Sequence, residues 1–173
     1  TIDCLTDLSQ RGSGGGVCFA SGFAEASAEL ADGGDLQTML LAAAGDMAVL
    51  GPNCYGMLNY LDGAALWPDQ HGGERVESGV AIITQSSNIA INLTMQYRAL
   101  PLAYVVTAGN QAQTDLAEIG MELLRDPRVA CLGFHIEGIN NIKALEELAK
   151  LSHELNKPIC ALKVGCSEQA QLT

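Results

Sequence analysis

The sequence predicts an α/β protein in which strands and helices alternate around a largely parallel sheet. Three observations lead there. From Gly79 onward, apolar runs of buried-strand type alternate with stretches of helical period. Aromatic residues make up only 5% of the chain while glycine contributes 19 residues, a balance that favours tightly turned α/β structure over an aromatic-rich sandwich. With 48% hydrophobic and 17% charged residues, the 173-residue chain is apolar enough to build a core.

Ile2, Leu5 and Leu8, at three-residue spacing, predict a short helix over residues 1–10, and the RGSGGG segment after it a turn. Residues 17–21 read as a short strand stopped by Gly22. Leu36, Met39, Leu40 and Ala43 make one apolar face of a helix over 35–44, and residues 47–50 form a second short strand closed by Gly51-Pro52-Asn53. Residues 59–78 are polar, glycine-rich and aperiodic, and read as a linker or crossover loop at a domain boundary. Residues 80–84 are a buried strand, and Ser86 caps a helix running to about Ala99, with Pro101 as its stop. A strand over 102–107 follows. Thr114 opens a helix with Leu116, Ile119, Leu123 and Leu124 on one side, ended by Asp126-Pro127. A strand over 129–136, a helix over 143–155 with Leu145, Leu148, Leu151 and Leu155 facing inward, and a strand over 159–164 complete the order. Strands separated by helices imply parallel pairing through right-handed crossovers. Residues 1–58 hold too few strands for an independent sheet and no helix covers the last strand, so the chain reads as an excerpt of a longer protein. The unpaired sheet edge this leaves predicts self-association.

Nine Lys and Arg against 20 Asp and Glu give a net charge of −11, which excludes a nucleic-acid partner. It leaves phosphate-bearing small molecules open, because helix N-termini hold anions without a cationic side chain. No apolar run is long enough to span a membrane, and Thr1-Ile2-Asp3-Cys4 does not begin a signal peptide. The six cysteines contain no CxxC pair, and Cys18, Cys131 and Cys160 sit in apolar runs, as reduced cysteines of a cytoplasmic protein would.

Ligands of open parallel sheets bind beyond the carboxyl ends of the strands. Four segments qualify: Ser21-Gly22-Phe23-Ala24-Glu25, Gly51-Pro52-Asn53-Cys54-Tyr55-Gly56, Thr84-Gln85-Ser86-Ser87-Asn88 and Thr107-Ala108-Gly109-Asn110. The last two are strand-to-helix turns whose small polar residues and backbone N–H groups could hold a phosphate between helix dipoles. The same residues are also good cap and turn formers, and spacing alone leaves both readings open. His135 and Glu137 point to one side of their strand, as an acid/base or ion pair or as solvated strand ends. Cys54 is either a nucleophile or a turn cysteine packed under its loop. His71 and His153 have inert surroundings, and no His, Cys, Asp and Glu set has metal-ligand spacing.

At these motifs the chain resembles the NDP-forming acyl-CoA synthetases, the superfamily of the succinyl-CoA synthetase α subunit and ADP-forming acetyl-CoA synthetase. The matching segments are Ser21-Gly22-Phe23-Ala24-Glu25, Leu50-Gly51-Pro52-Asn53-Cys54-Tyr55-Gly56 and Ala81-Ile82-Ile83-Thr84-Gln85-Ser86, followed by Ala108-Gly109-Asn110, Ile136-Glu137-Gly138 and Lys163-Val164-Gly165-Cys166-Ser167-Glu168. The resemblance implies that residues 1–58 are the second half of a CoA-binding Rossmann domain, 59–78 a linker, and 79–173 a flavodoxin-like ligase domain. It implies CoA contacts at Ala20, Ser21, Gly22, Asn53 and Cys54, and a phosphate site at Ser86, Ser87, Asn88, Gly109 and Asn110. It also implies that Glu137 orients an active histidine. The activity implied is joining a carboxylic acid to CoA with ATP or GTP cleavage, through an acyl phosphate and a phosphohistidine. Mg2+ and nucleotide would enter through an ATP-grasp domain or β subunit, in a homo- or hetero-oligomer.

Three departures qualify that reading. Ser86-Ser87 stands where many relatives have Ser-Gly, and Ile91 stands where the succinyl enzyme has a tyrosine, so succinate is not implied. The family's phosphorylated histidine follows the position of Glu168, and His71, His135 and His153 all lie elsewhere. A CoA- or acyl-CoA-binding module without catalysis is therefore the alternative.

Overall fold

The computed structural model describes residues 1–24 and 33–165. Glu25 of the first motif and Cys166-Ser167-Glu168 of the last lie outside the described residues.

The element order is α1 (Ile2–Gln10), β1 (Gly15–Val17), α2 (Gly33–Ala44), β2 (Ala48–Leu50), β3 (Met57–Asn59), β4 (Ala64–Leu66), β5 (Gly79–Thr84), α3 (Ser87–Thr94), β6 (Leu102–Thr107), α4 (Leu116–Arg125), β7 (Val129–Ile136), α5 (Ile142–Leu155) and β8 (Ile159–Lys163). β1 and β2 pair in parallel as a two-stranded sheet. Leu5, Cys18, Phe23, Leu40, Ala44, Met47 and Val49 bury themselves between that sheet and α1 and α2. The larger sheet has the order β4-β3-β6-β5-β7-β8, with β6, β5, β7 and β8 parallel and the β3–β4 hairpin added antiparallel beside β6. This is the α/β, flavodoxin-like arrangement, with helices on both faces.

The sheet divides its core by strand alternation. One layer joins Ile83, Val106, Leu132 and Phe134 to Leu116 and Leu124 of α4 and Leu148 of α5. The other joins Leu58, Leu102 and Val105 to Ala90 of α3. Each Leu or Ile so buried contributes about 1.5–3 kcal/mol. β6 is buried at all six positions, as the strand between the hairpin and β5 must be. Capping fixes the helix starts. Asp115 and Glu118 close a capping box on α4, and Asn141 Oδ1 accepts from Ala144 N at 3.1 Å on α5.

The strand β1 is Gly15–Val17 rather than 17–21, because only the amides up to Cys18 reach β2. Residues 59–78, read as an aperiodic loop, carry the end of β3 and all of β4. Asn59 Oδ1 accepts from Leu61 N and Asp62 N at 3.0 Å each, and Gly63 takes φ +72°, so this stretch turns the hairpin. The helix α3 stops at Thr94, short of Ala99. Residues 95–100 are all exposed, so extending it would bury nothing. On α5, Leu148 is buried while Leu155 is 40% exposed, so the inward stripe ends a turn early.

Candidate functional site

From β5 the chain crosses to β6 on one side, then passes back to β7 on the other. The two crossovers diverge at the carboxyl ends of β5 and β7, which is where open sheets make their ligand crevice. A cleft of about 850 Å³ lies there. Five of the residues expected from the motifs meet on its walls: Asn53, Ser86, Gly109, Asn110 and Glu137. Ser87 and Asn88 line a smaller cleft of about 330 Å³, which shares Asn53, Gln85, Ser86 and Glu137 with the first and adds Cys54.

The cleft is held by side-chain bonds between strand ends. Gln85 Oε1 accepts from Glu137 N at 2.5 Å and from Gly138 N at 2.9 Å, so the end of β5 fixes the turn after β7. Thr84 Oγ1 accepts from Ser86 N at 3.0 Å and sits 3.2 Å from His135 Nδ1. Ser86 caps α3, its Oγ accepting from Ile89 N at 3.4 Å. Ser87 and Asn88, which open α3, line the smaller cleft, and amides of a first helical turn have no intrahelical acceptors. Lys163 Nζ donates to Glu137 O at 2.9 Å and to Val164 O, placing one positive charge at the rim. Among the described residues no Lys or Arg lines either cleft. Among the described residues no ion pair joins His135 to Glu137; the imidazole faces Thr84 instead.

The turn after β6 does not repeat the turn after β5. The helix α4 begins at Leu116, well beyond Gly109 and Asn110, and its first amides are already taken. Leu116 N donates to Gln111 Oε1 at 2.9 Å, and Ala117 N and Glu118 N donate to Asp115 Oδ1 at 2.7 and 2.9 Å. A second helix dipole pointing at a phosphate is therefore absent from this loop. Its backbone is occupied instead with the Gly51–Gly56 motif: Asn110 N donates to Pro52 O and Ala112 N to Gly51 O, both at 3.0 Å. Gly109, at φ +57°, lies so close that a Cβ would stand 2.2 Å from Pro52 O. Thr107 Oγ1 accepts from Tyr55 N at 2.8 Å and Gly56 N at 2.7 Å. The motif thus serves as the joint between the two sheets and brings Asn53 to the cleft.

Cys54 is 1% exposed, with Sγ 3.7 Å from Cys18 O. Burial pushes its thiol up to about 11, against the lowering effect of its bonds to Gly56 and Thr107. The turn-cysteine reading fits this environment, since a thiol so raised supplies little thiolate at neutral pH. Ala20, Ser21 and Gly22 line a separate cleft of about 420 Å³ with Asp3 and Phe23. His71 pairs with Tyr60 OH at 3.3 Å, away from the crevice. Gln85 and Lys163 fall inside the matched motifs but carry no role of their own in the sequence reading, and Gln111, four residues past the end of β6, lies outside them. An amide in such a turn carries no signal of its own. The five described cysteines, Cys4, Cys18, Cys54, Cys131 and Cys160, are free thiols. No described helix is long and apolar enough to cross a membrane.

Residues 77–173, more than half of the chain, match the family model described as the succinyl-CoA ligase like flavodoxin domain. The chain belongs to that family. Among curated relatives, a trans-feruloyl-CoA synthase from an unknown prokaryotic organism is 31% identical over 98% of this chain. The α subunit of an ADP-forming acetate–CoA ligase II from Pyrococcus furiosus is 28% identical over 95%. An acetate–CoA ligase II from Archaeoglobus fulgidus is 25% identical over 98%. The chain spans only 25%, 35% and 25% of these three relatives, respectively. Among solved structures, an acetyl-coenzyme A synthetase 1 from Ca. Korarchaeum cryptofilum aligns over 98% of this chain and 36% of its own, with TM-score 0.79 and 27% identity. PH0766 from Pyrococcus horikoshii OT3 aligns over 99% of this chain and 39% of its own, with TM-score 0.85 and 25% identity. The family read from the ordered motifs is thereby borne out, with relatives that are NDP-forming acyl-CoA ligases.

Proposed function

We propose that the chain is the CoA-binding and phosphoryl-holding part of an NDP-forming acyl-CoA synthetase. The observation that carries this is the crevice between β5 and β7, where the start of α3, Ser86 and Glu137 converge in a succinyl-CoA ligase-like flavodoxin domain. In this reading ATP or GTP phosphorylates a histidine that this chain does not supply, releasing the diphosphate. The carboxylate of the acid takes that phosphoryl group to give an acyl phosphate. The CoA thiol then attacks the acyl carbon, expelling phosphate and leaving the thioester, its proton passing to solvent.

Within that sequence the first-turn amides at Ser87 and Asn88, with Ser86 at the cap, hold the phosphoryl oxygens at the positive end of α3. Gly109 and Asn110 form the opposite wall, and Glu137 orients the phosphorylated histidine. Ala20, Ser21 and Gly22 take the distal part of CoA, and Asn53 and Cys54 border the path of its pantetheine end. The division into a Rossmann half over 1–58, a connecting segment over 59–78 and a ligase domain over 79–173 belongs to this proposal. So does a cytoplasmic location. Among the described residues no group of three or more His, Cys, Asp and Glu stands close enough to hold a metal ion. We assign Mg2+ and the nucleotide to an ATP-grasp domain or β subunit working with this chain.

A relative of this chain is called a feruloyl-CoA synthase and others acetate–CoA ligases, so the acid panel spans aromatic and short aliphatic acids. The protein carrying this chain, assayed with its nucleotide-binding partner, should form ADP and an acyl-CoA only when CoA and one of these acids are present. Absence of acid- and CoA-dependent ADP formation across the panel would reject the reading.

A further inference from the structure

The turn after β7 carries Glu137, whose side chain borders both clefts, and the main chain of that turn is held from two sides. β7 ends at Ile136 and α5 does not begin until Ile142, so Glu137 and Gly138 lie beyond the strand. Thr84 pairs with His135, and Gln85 N continues the ladder by donating to His135 O at 3.3 Å. One more bond in this parallel pattern would run from Glu137 N to the backbone carbonyl of Gln85. The chain instead turns into the cap of α3 at Ser86, and the Gln85 side chain stands in for that carbonyl. Its Oε1 accepts from Glu137 N at 2.5 Å and from Gly138 N at 2.9 Å. Two backbone donors on one atom also fix which end of the amide is oxygen. From β8, on the other flank, Lys163 Nζ donates to Glu137 O at 2.9 Å. Side chains of the two neighbouring strands thus take both polar backbone groups of Glu137. The carboxylate stands outside this clamp: Glu137 is exposed, and among the described residues no ion pair engages it.

An exposed turn whose amides bonded only to water would let its carboxylate drift, and a misplacement of about 1 Å can cost ~100-fold in rate. We propose that Gln85 is a positioning residue for Glu137. Where the β5 backbone leaves the ladder, the Gln85 side-chain oxygen carries it on and fixes the point from which the Glu137 carboxylate enters the crevice. This rests on Glu137 orienting the phosphorylated histidine, the role proposed for it above. In this arrangement Gln85 acts through two main-chain amides and not on the reacting atoms. Lys163 braces the same turn, but with one bond from an exposed side chain, so the larger share falls to Gln85.

The test is a double-mutant cycle in the protein carrying this chain, assayed with its nucleotide-binding partner. Gln85→Met keeps the length of the side chain and removes the acceptor. It should lower kcat about tenfold to a hundredfold while KM for the acid and for CoA changes less than about twofold. In a Glu137→Gln background the same substitution should cost less than about twofold, because no carboxylate is left to place. Hydrogen–deuterium exchange of the segment 136–139 should quicken about tenfold or more in Gln85→Met while β6 keeps its protection, which separates a loosened turn from a lost fold. Gln85→Glu, whose carboxylate still accepts from both amides, should exchange there as the native protein does. If Glu137→Gln alone leaves kcat unchanged, the role given to Glu137 fails and this proposal with it. If Glu137→Gln is impaired but Gln85→Met costs the same in both backgrounds, or acts chiefly on KM, Glu137 keeps its role and the positioning role of Gln85 is overturned. Unchanged exchange at 136–139 in Gln85→Met would overturn it as well.

Discussion

Replacing Thr107 with valine tests whether one hydroxyl fastens the two sheets together. Thr107 is fully buried, and its Oγ1 accepts from Tyr55 N at 2.8 Å and Gly56 N at 2.7 Å while donating to Gly56 O at 3.0 Å. Valine has the same shape and cannot accept, so both amides lose their partner with no cavity formed. Gly56 O keeps a donor, because Thr107 N reaches it at 2.9 Å. A stranded buried donor costs about 1–3 kcal/mol, and the Tyr55 amide, only partly buried, belongs at the low end. The expected loss is about 2–5 kcal/mol, a large share of the ~5–15 kcal/mol that a native domain holds. Thr107→Ser is the control: it keeps the hydroxyl and removes one methyl, for about 1 kcal/mol. Urea unfolding followed through the fluorescence of Trp67 measures both. That ring stands edge-on to Tyr55 with centroids 5.5 Å apart, so it also reports the joint directly. If Thr107→Val came within about 0.5 kcal/mol of Thr107→Ser, the hydroxyl would not be holding the joint.

Gly109→Ala should cost about 2–4 kcal/mol in the same assay, combining a left-handed φ with a Cβ 2.2 Å from Pro52 O and 2.7 Å from Asn53 O; a neutral outcome would contradict the close approach. Arg128 bonds Asp62 and Asp126 and holds both carboxyls down to about 2, chiefly through its hydrogen bonds to them. Unfolded carboxyls titrate near ~4, so this stability is present above that pH and is lost as pH falls toward about 2. In Arg128→Met, acid titration of stability should be flatter across that window, and an unchanged slope would show that the pairing is not coupled to folding. Iodoacetamide at neutral pH should label exposed Cys4 and Cys160 well before Cys54, as followed by mass spectrometry, and rapid labelling of Cys54 would contradict its burial and raised thiol. Anion affinity in the crevice should hold or rise slightly as salt increases from about 0.01 to 0.1 M, because screening relieves repulsion from a chain of net charge −11. A steep fall would mean that cationic side chains carry the binding.

The parallel core was legible because each of its strands is a continuous apolar run flanked by a cap or a breaker. Ser86 before α3 and Pro101 before β6 mark boundaries that the residue types alone dictate. The β3–β4 hairpin escaped because each strand is three residues long, too short for alternation to register. Its signal was nonetheless present: Asp62-Gly63 stands between apolar Met57-Leu58 and Ala64-Ala65-Leu66, the pairing a tight hairpin uses. Strand order explains what was readable of the crevice. Residues just past β5 and β7 converge there whatever their side chains do, so Ser86 and Glu137 could be placed from sequence. Gln111 could not, because its position depends on a positive φ and on a bond to Leu116 N that only the folded loop reveals.

The motifs divide by physical task, and the division bears on how the crevice works. Gly51, Gly56 and Gly109 lie where a Cβ would collide with backbone oxygens: Cys18 O at 2.6 Å, Leu66 O at 2.2 Å and Pro52 O at 2.2 Å, respectively. These glycines let main chain press against main chain, and the joint they form is built from backbone contacts. Asn53 sits inside that joint, between two of those glycines, yet lines both clefts. Its reach into the crevice is therefore set by backbone contacts between the small sheet and the β6 end of the large one. Ser86, Gln85 and Glu137 are set independently, by bonds between the ends of β5 and β7. The crevice thus has two walls with separate mechanical supports. Loosening the joint should move Asn53 and Gln111 relative to Ser86 while leaving the α3 cap intact. A ligand that bonds to both walls gains from the joint being closed, and by the reciprocity of linked equilibria its binding must stabilise the joint in turn.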